Sequence, residues 1–322
     1  GVSGSAVADA SAVSSVLLPA MARDGYDRRF AAAINAAAAT IGPIIPPSIP
    51  MVFIAVISDL SIGRLFLGGV VPGLLMGAFL AVTIYLQSLR HPLPTTVVKG
   101  GVGEFVRLLG QAFLALLAPL IILAGVVFGV VTIVEVAFLA VFYVLLVGLL
   151  GYRTIRLRAL PRIFARAAAT STTIMAIFAA VGAFSWLIAN EQLGPQVARA
   201  IQGFGVGWAG FLLVVNVFFL FLGCIMDAIP AMLIFFPVLL PIAKGLGIDP
   251  IHFGVVVVLN LMIGLLTPPV GGLLFLEAKI ADIPFEALVR AATPYLLALL
   301  AVLGLITYIP PLVTFIPNLV FR

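Results

Sequence analysis

Charge is what this chain lacks. Lysine, arginine, aspartate and glutamate together make up 9% of its 322 residues, where a soluble globular protein carries about 25%. Too few polar side chains remain to coat a water-soluble particle of this size, so most of the solvent must be lipid. Cysteine is equally scarce. Cys224 stands alone, which excludes an intrachain disulfide. The only histidines, His91 and His252, are too few and too far apart for a histidine metal cluster. The opening Gly1-Val-Ser-Gly-Ser has no initiator methionine and no charged leader. It reads as entered in mid-motif, so an N-terminal portion is expected to precede it, and no signal peptide is identified.

What is present is apolar and long. Hydrophobic residues make up 63% of the chain, in runs of about 20 rather than alternating segments of about 10, so the spans are expected to be helical. Leu65–Leu86, Leu108–Val131, Val134–Leu150, Ala167–Ala189 and Phe285–Ile309 read as full spans. Phe30–Gly42 with Pro47–Ile57, and Phe253–Gly264 with Pro269–Ala278, read as two broken spans. Trp208–Gly223 and Pro230–Ala243 read as two half-length helices around Asp227. They fit a re-entrant hairpin turning near the midplane, and Ala6–Met21 reads as the second arm of an equivalent hairpin.

Two stretches repeat each other. Leu17-Leu-Pro aligns with Leu239-Leu-Pro, Asp27 with Asp249, and Ile41-Gly-Pro-Ile-Ile-Pro-Pro47 with Ile263-Gly-Leu-Leu-Thr-Pro-Pro269, all 222 positions apart. Five crossings are expected between the hairpins. An odd number makes the repeat inverted. The domains expected are 1–87 (part of a first repeat), a cytoplasmic linker 88–107, and 108–322 (the second repeat). Charge agrees: 13 of the 17 Lys and Arg fall on one predicted side, among them Arg29, Arg90, Arg290 and the run from Arg153 to Arg166. That side is cytoplasmic by the positive-inside rule. The net charge of +5 is then a topology signal rather than a nucleic-acid footprint.

The chemistry is expected at the breaks. Pro46-Pro47 and Pro268-Pro269 remove backbone donors and stop the helix before them. Carbonyls freed one turn earlier are tolerated in a membrane only against protein or a water-filled cavity, and they are good ligands for a hard cation such as Na⁺. A helix restarting after the prolines points its positive N-terminus at the midplane, which suits an anion. A simple proline kink is the plainer alternative for one pair. Two pairs at matched positions favour a transport site. Ser5 and Asp9 are expected to share a helix face, and Asp227 to cap the helix after it. Glu135 and Glu277 are expected near span ends in reach of water, and Thr170–Thr173 to bond between helices. With no Lys or Arg expected at the midplane, an anionic substrate must rely on dipoles, hydroxyls and co-bound cations, which favours Na⁺ coupling.

Gly1-Val-Ser-Gly-Ser-Ala-Val-Ala-Asp9, Ile41-Gly-Pro-Ile-Ile-Pro-Pro-Ser-Ile-Pro-Met51, the Asp227/Pro230 tip and Thr267-Pro-Pro-Val-Gly271 resemble the large membrane subunit of tripartite ATP-independent periplasmic (TRAP) transporters, the DctM-like family. The likeness runs along essentially the whole chain. It implies an all-α integral membrane fold of the ion transporter superfamily, with two re-entrant hairpins and two broken helices, working as an elevator. It also implies a Na⁺ gradient as the energy source, a small four-helix membrane subunit, and a periplasmic binding protein delivering a carboxylate or sialic acid. The location implied is the bacterial inner membrane. Carried over, cation ligation falls on Ser3, Ser5 and Pro46, and on Gly223, Asp227, Thr267 and Pro268. Substrate contacts fall on Ser5, Asp9, Pro47, Ser48, Asp227, Pro269 and Gly271. Na⁺ is the only metal implied, and no cofactor is. The chain departs from the family at Thr132-Ile-Val-Glu135 and at Leu273, and roughly the first hundred residues of a typical member are absent, so alone it is not expected to transport. A stand-alone carboxylate–sodium symporter of the same superfamily is the first alternative. An intramembrane enzyme is remote, because no His-Glu-x-x-His occurs and Asp9 and Asp227 both adjoin turns. A channel is the last.

Overall fold

The computed structural model describes residues 4–90, 93–94, 101–127, 132–191, 196 and 207–321, all in helices and short connections. The helices are α1 (Ala6–Arg23), α2 (Arg28–Ala39), α3 (Ile49–Ser58), α4 (Ile62–Arg90), α5 (Val102–Val127), α6 (Ile133–Leu146), α7 (Leu160–Asn190), α8 (Trp208–Ile225), α9 (Ala228–Gly245), α10 (Pro250–Gly264), α11 (Gly272–Ala281), α12 (Phe285–Tyr308) and α13 (Pro311–Val320). Seven helices among the described residues are long and apolar enough to cross a bilayer. The protein is a multi-pass integral membrane protein.

The chain forms two compact units, residues 1–95 with 184–322, and residues 96–183. In the smaller unit α5 packs on α6. Tyr143 Oη donates to the Leu114 carbonyl at 2.7 Å and Tyr152 Oη to that of Gln111 at 2.5 Å. α6 continues as a π-helical turn over Val147–Gly151. Its start is held by a reciprocal cap. Thr132 N donates to Glu135 Oε2 at 2.7 Å while Glu135 N reaches Thr132 Oγ1 at 3.4 Å. Glu135 therefore marks a helix start. The hydroxyls of Thr170, Thr172 and Thr173 bond to carbonyls one turn back in their own helix. This corrects the expectation of bonds between helices.

The larger unit is built around α10. Every residue from Ile251 to Gly264 is buried, including four consecutive valines. A helix apolar all round belongs inside. It packs on α8, α9, α3, α4, α12 and α13. Lipid tails are as apolar as these side chains, so close packing rather than water exclusion holds such helices together. α2 shows the device: it buries Ala31, Ala32, Ala33, Ala36, Ala37 and Ala39. Residues this small let the backbones of α1, α11 and α12 approach.

The repeat seen in the sequence is a structural repeat. α1 and α9 are each 18 residues long and 222 positions apart. Asp27 caps α2 and Asp249 caps α10, both at φ −61° and ψ 130°. Pro46-Pro47 and Pro268-Pro269 are both cis. α3 and α11 both end on an aspartate in the left-handed region, Asp59 at φ 53° and Asp282 at φ 54°, which aspartate tolerates better than most residues. Contacts are reciprocal as well: α1 packs on α2 and on α11, while α9 packs on α10 and on α3.

Several boundaries differ from expectation: α3 and α11 start at Ile49 and Gly272 rather than at Pro47 and Pro269. α8 and α9 are 18 residues each, about 27 Å at 1.5 Å per residue. They are longer than the half-length arms read from the sequence, and only Met226 and Asp227 separate them. α9 starts at Ala228 rather than at Pro230. Proline in a first turn removes an N–H that has no helical partner anyway, so the helix begins ahead of it. The short α13 lies beyond the last expected span.

Candidate functional site

Each break is a tight turn set against the end of a neighbouring helix, the first against the start of α1 and the second against the last turn of α8. After α2 the chain tightens: Gly42 N donates to Ala39 O at 3.3 Å, Ile44 N to Ile41 O at 2.9 Å and Ile45 N to the same oxygen at 3.0 Å. Part of the carbonyl row expected to be free is therefore occupied. Among the described residues, these turn bonds leave out the Pro46 and Pro47 carbonyls. Ser48 restarts the chain as α3. Its hydroxyl donates to Pro43 O and accepts from Met51 N at 3.2 Å. Ser48 is buried, and both hydrogen bonds of its hydroxyl shape the turn.

The start of α1 closes over this break. Ser5 caps α1, accepting from Ala8 N at 3.4 Å. Gly4 has φ +70°, and a Cβ there would stand 2.6 Å from the Pro47 carbonyl oxygen. Both facts demand glycine. Asp9, four residues after Ser5, is buried. A Cβ on Gly42 would fall on its Oδ2, so this carboxylate lies directly on the break. Ser3, expected among the cation ligands, lies outside the described residues.

The second break has the same construction. Leu266 N donates to Ile263 O at 2.9 Å and Thr267 N to Gly264 O at 2.9 Å. Thr267 Oγ1 donates to Ile263 O at 2.9 Å, which leaves the hydroxyl's lone pairs available to a cation. Pro268 and Pro269 are exposed. Gly271, at φ +56°, leads into α11. The α8–α9 tip rests on this turn: Gly271 N donates to Cys224 O at 3.1 Å. Gly223 and Gly264 let the two backbones touch, because a Cβ on Gly264 would stand 2.6 Å from Gly223 Cα. Gly223 is thus a packing residue of the tip. Asp227 occupies the position before α9 but makes no side-chain cap bond, which corrects the capping expectation. Its carboxylate is exposed at the tip.

α2 packs on α11 and α10 packs on α3, so the first half of each broken helix lies against the second half of the other. Carbonyls and hydroxyls lie at both breaks, with Asp9 against the first and Asp227 in the tip beside the second. Among the described residues from Gly4 to Asp9, 40 to 48, 223 to 228 and 264 to 271 there is no Lys or Arg. Such a set is rich in oxygen acceptors and carries no fixed cation.

Two polar clusters in the core were not read from the sequence. Glu277 is fully buried, which overturns the expectation that it reaches water. Ser14 Oγ donates to it at 2.6 Å and Asn35 Nδ2 at 2.8 Å. Asn35 Nδ2 also meets Ser14 Oγ, and it reaches the Ala10 carbonyl at 3.3 Å. The cluster ties α11 of one repeat to α1 and α2 of the other. The second cluster joins Asn260 to Asn216 at 2.5 Å and Asn216 to Thr307 at 2.9 Å. Isolated polar residues inside apolar helices were its only sequence signal. No group of three or more His, Cys, Asp or Glu fit to hold a metal occurs among the described residues.

A family model for the DctM component of tripartite ATP-independent periplasmic transporters matches residues 1–312. The chain is 37% identical over 319 residues to the sialic acid TRAP transporter large permease protein SiaM of Vibrio cholerae, covering 99% of this chain and 74% of that one. It is 39% identical over 317 residues to the C4-dicarboxylate large permease protein DctM of Pseudomonas aeruginosa, covering 98% and 74%. It is 37% identical over 314 residues to the isethionate permease protein DctMQ of Oleidesulfovibrio alaskensis, covering 98% of this chain and 49% of that one.

Proposed function

The chain belongs to the DctM component family of tripartite ATP-independent periplasmic transporters, and from that membership we propose that it is the large permease subunit of a Na⁺-driven importer of a small organic anion. It is a transporter subunit and not an enzyme. The observation that carries the reading is the pair of repeat-related helix breaks, one backed by the start of α1 and the other by the last turn of α8. Paired interruptions of this kind mark the binding sites of secondary transporters.

In this reading the two hairpins are re-entrant and the repeat is inverted across the membrane. One Na⁺ binds at the first break, on main-chain oxygens near Pro46 with Ser3 and Ser5. A second binds at the second break, on oxygens near Pro268 with Thr267, Gly223 and Asp227. Substrate lies between the tips, against Ser5, Pro47, Pro269 and Gly271, and Asp9 fixes the first break from beneath. Binding of cations first turns an acidic, carbonyl-rich site into one that accepts a carboxylate or sulfonate. Relatives named for sialic acid, C4-dicarboxylates and isethionate support a small organic anion. The moving body comprises α1–α3 and α8–α11. The scaffold includes α4, α5 and α12. A small four-helix subunit completes the membrane part in the inner membrane, and a periplasmic protein delivers the substrate.

The test is uptake by the reconstituted transporter in proteoliposomes. Transport is expected only with an inward Na⁺ gradient and the binding protein together. Equal uptake after replacing Na⁺ by choline would refute the coupling. Uptake of free substrate without binding protein would favour a stand-alone carboxylate–sodium symporter.

A further inference from the structure

The repeat produces two pockets at related places in the larger unit. One, of about 840 Å³, lies at the corner of Gly25, Asp27 and Phe30, with the end of α4 and the first turns of α12 as its other walls. The other, of about 420 Å³, lies at the matching corner of Gly247, Asp249 and His252. Gly25 and Gly247 both have positive φ. The fold by itself therefore accounts for a cavity at each corner.

It does not account for the charge. Arg29, Arg90 and Arg290 all line the first pocket. At an offset of 222 their counterparts are Ile251, Leu312 and Gly68, and among the described residues no arginine lines the second pocket. The positive-inside rule asks for basic residues on this side of the membrane. It does not ask that three helices bring them to one cavity. Asp27 neutralises only Arg29, at 3.0 Å, and this contact holds the Asp27 carboxyl below its ordinary range. The remaining ion pair among the described residues is Glu104–Arg107, so Arg90 and Arg290 have no carboxylate partner there. Phe30, Leu93, Ala291 and Pro294 supply apolar wall.

We infer that this pocket is a binding site for the phosphodiester headgroup of an anionic phospholipid, with Arg90 and Arg290 on the phosphate and the apolar wall against the glycerol and upper acyl chain. Basic pockets between helices at the cytoplasmic face suit anionic headgroups, and guanidinium donors match phosphate oxygens. Free phosphate offers the same charge, but it leaves the apolar wall and most of the volume unused. The site borders α2 on one side and α4 and α12 on the other. The inference rests on the membrane orientation expected from the positive-inside rule, not on the coupling ion.

The test uses the complete purified transporter in detergent. Thermal unfolding is followed while phosphatidylglycerol, phosphatidylcholine or inorganic phosphate is titrated in. Phosphatidylglycerol is expected to stabilise at a concentration at least about tenfold lower than phosphatidylcholine. R90Q/R290Q should abolish this preference. R158Q/R162Q, with the same loss of charge in the cytoplasmic arginine run, should keep it. If the double variant does not assemble, R90Q and R290Q singly should each weaken the preference. Equal response to both lipids, or a preference that survives R90Q/R290Q, overturns the site. Inorganic phosphate as potent as phosphatidylglycerol overturns the lipid as its occupant. Na⁺-independent uptake by the wild type would strike the transport reading and leave this site standing.

Discussion

Gly264→Ala should uncouple the second hairpin tip from the second break. The new methyl would meet Gly223 Cα at 2.6 Å, Gly223 C at 2.7 Å and Cys224 N at 3.1 Å. All three are main-chain atoms, so no rotamer change relieves the clash. Carbon atoms pack at about 3.5–4.0 Å, which forces α8 away from α10 by roughly 1 Å. Gly271 N to Cys224 O, now 3.1 Å, then stretches beyond hydrogen-bonding reach. Overpacking costs about 1–3 kcal/mol, and the lost bond about 1 kcal/mol more. Two measurements follow on the reconstituted complex: thermal unfolding, and Na⁺ dependence of uptake with binding protein present. Unfolding should come at a lower temperature. Half-maximal Na⁺ should rise by about tenfold if 1.4 kcal/mol of the distortion falls on cation binding. Gly304→Ala is the control. Its Cβ meets nothing within 4 Å, and alanine favours helix by about 1 kcal/mol. A G264A protein with wild-type Na⁺ dependence would show that the tip contact does not shape the ion site.

Two further expectations separate function from stability. Asp227 is exposed and makes no cap bond, so Asp227→Asn should shift stability by less than about 0.5 kcal/mol yet weaken Na⁺-driven uptake; Ser5→Ala, which removes both a real cap and a proposed ligand, should lose about 1 kcal/mol and weaken uptake as well, and unfolding alongside transport assays distinguishes the two. Glu277→Ala strands the buried Ser14 hydroxyl and takes one of three acceptors from Asn35, at about 1–3 kcal/mol in all; Glu277→Gln keeps an acceptor and should be milder, and equal unfolding temperatures for the pair would refute the role given to that cluster.

The lipid-embedded class, the helices and the 222-residue repeat were legible in the sequence, because each is written in local signals. Long apolar runs fix spans, and proline pairs stop helices wherever they occur. Even the helix ends at Asp27 and Asp249 follow from a capping residue beside its own helix. Tertiary structure decided the rest. Glu277 looks like a span-end residue until α1 and α2 close over it. Asp227 looks like a cap until its side chain is found to make no cap bond. Gly264 is an ordinary helix residue until Gly223 arrives against it, and three arginines in unconnected segments become one pocket only after folding. Backbone preferences act over a few residues and survive in any window of the chain. Which oxygen is left free, and which charge is left unpaired, depends on neighbours hundreds of positions away.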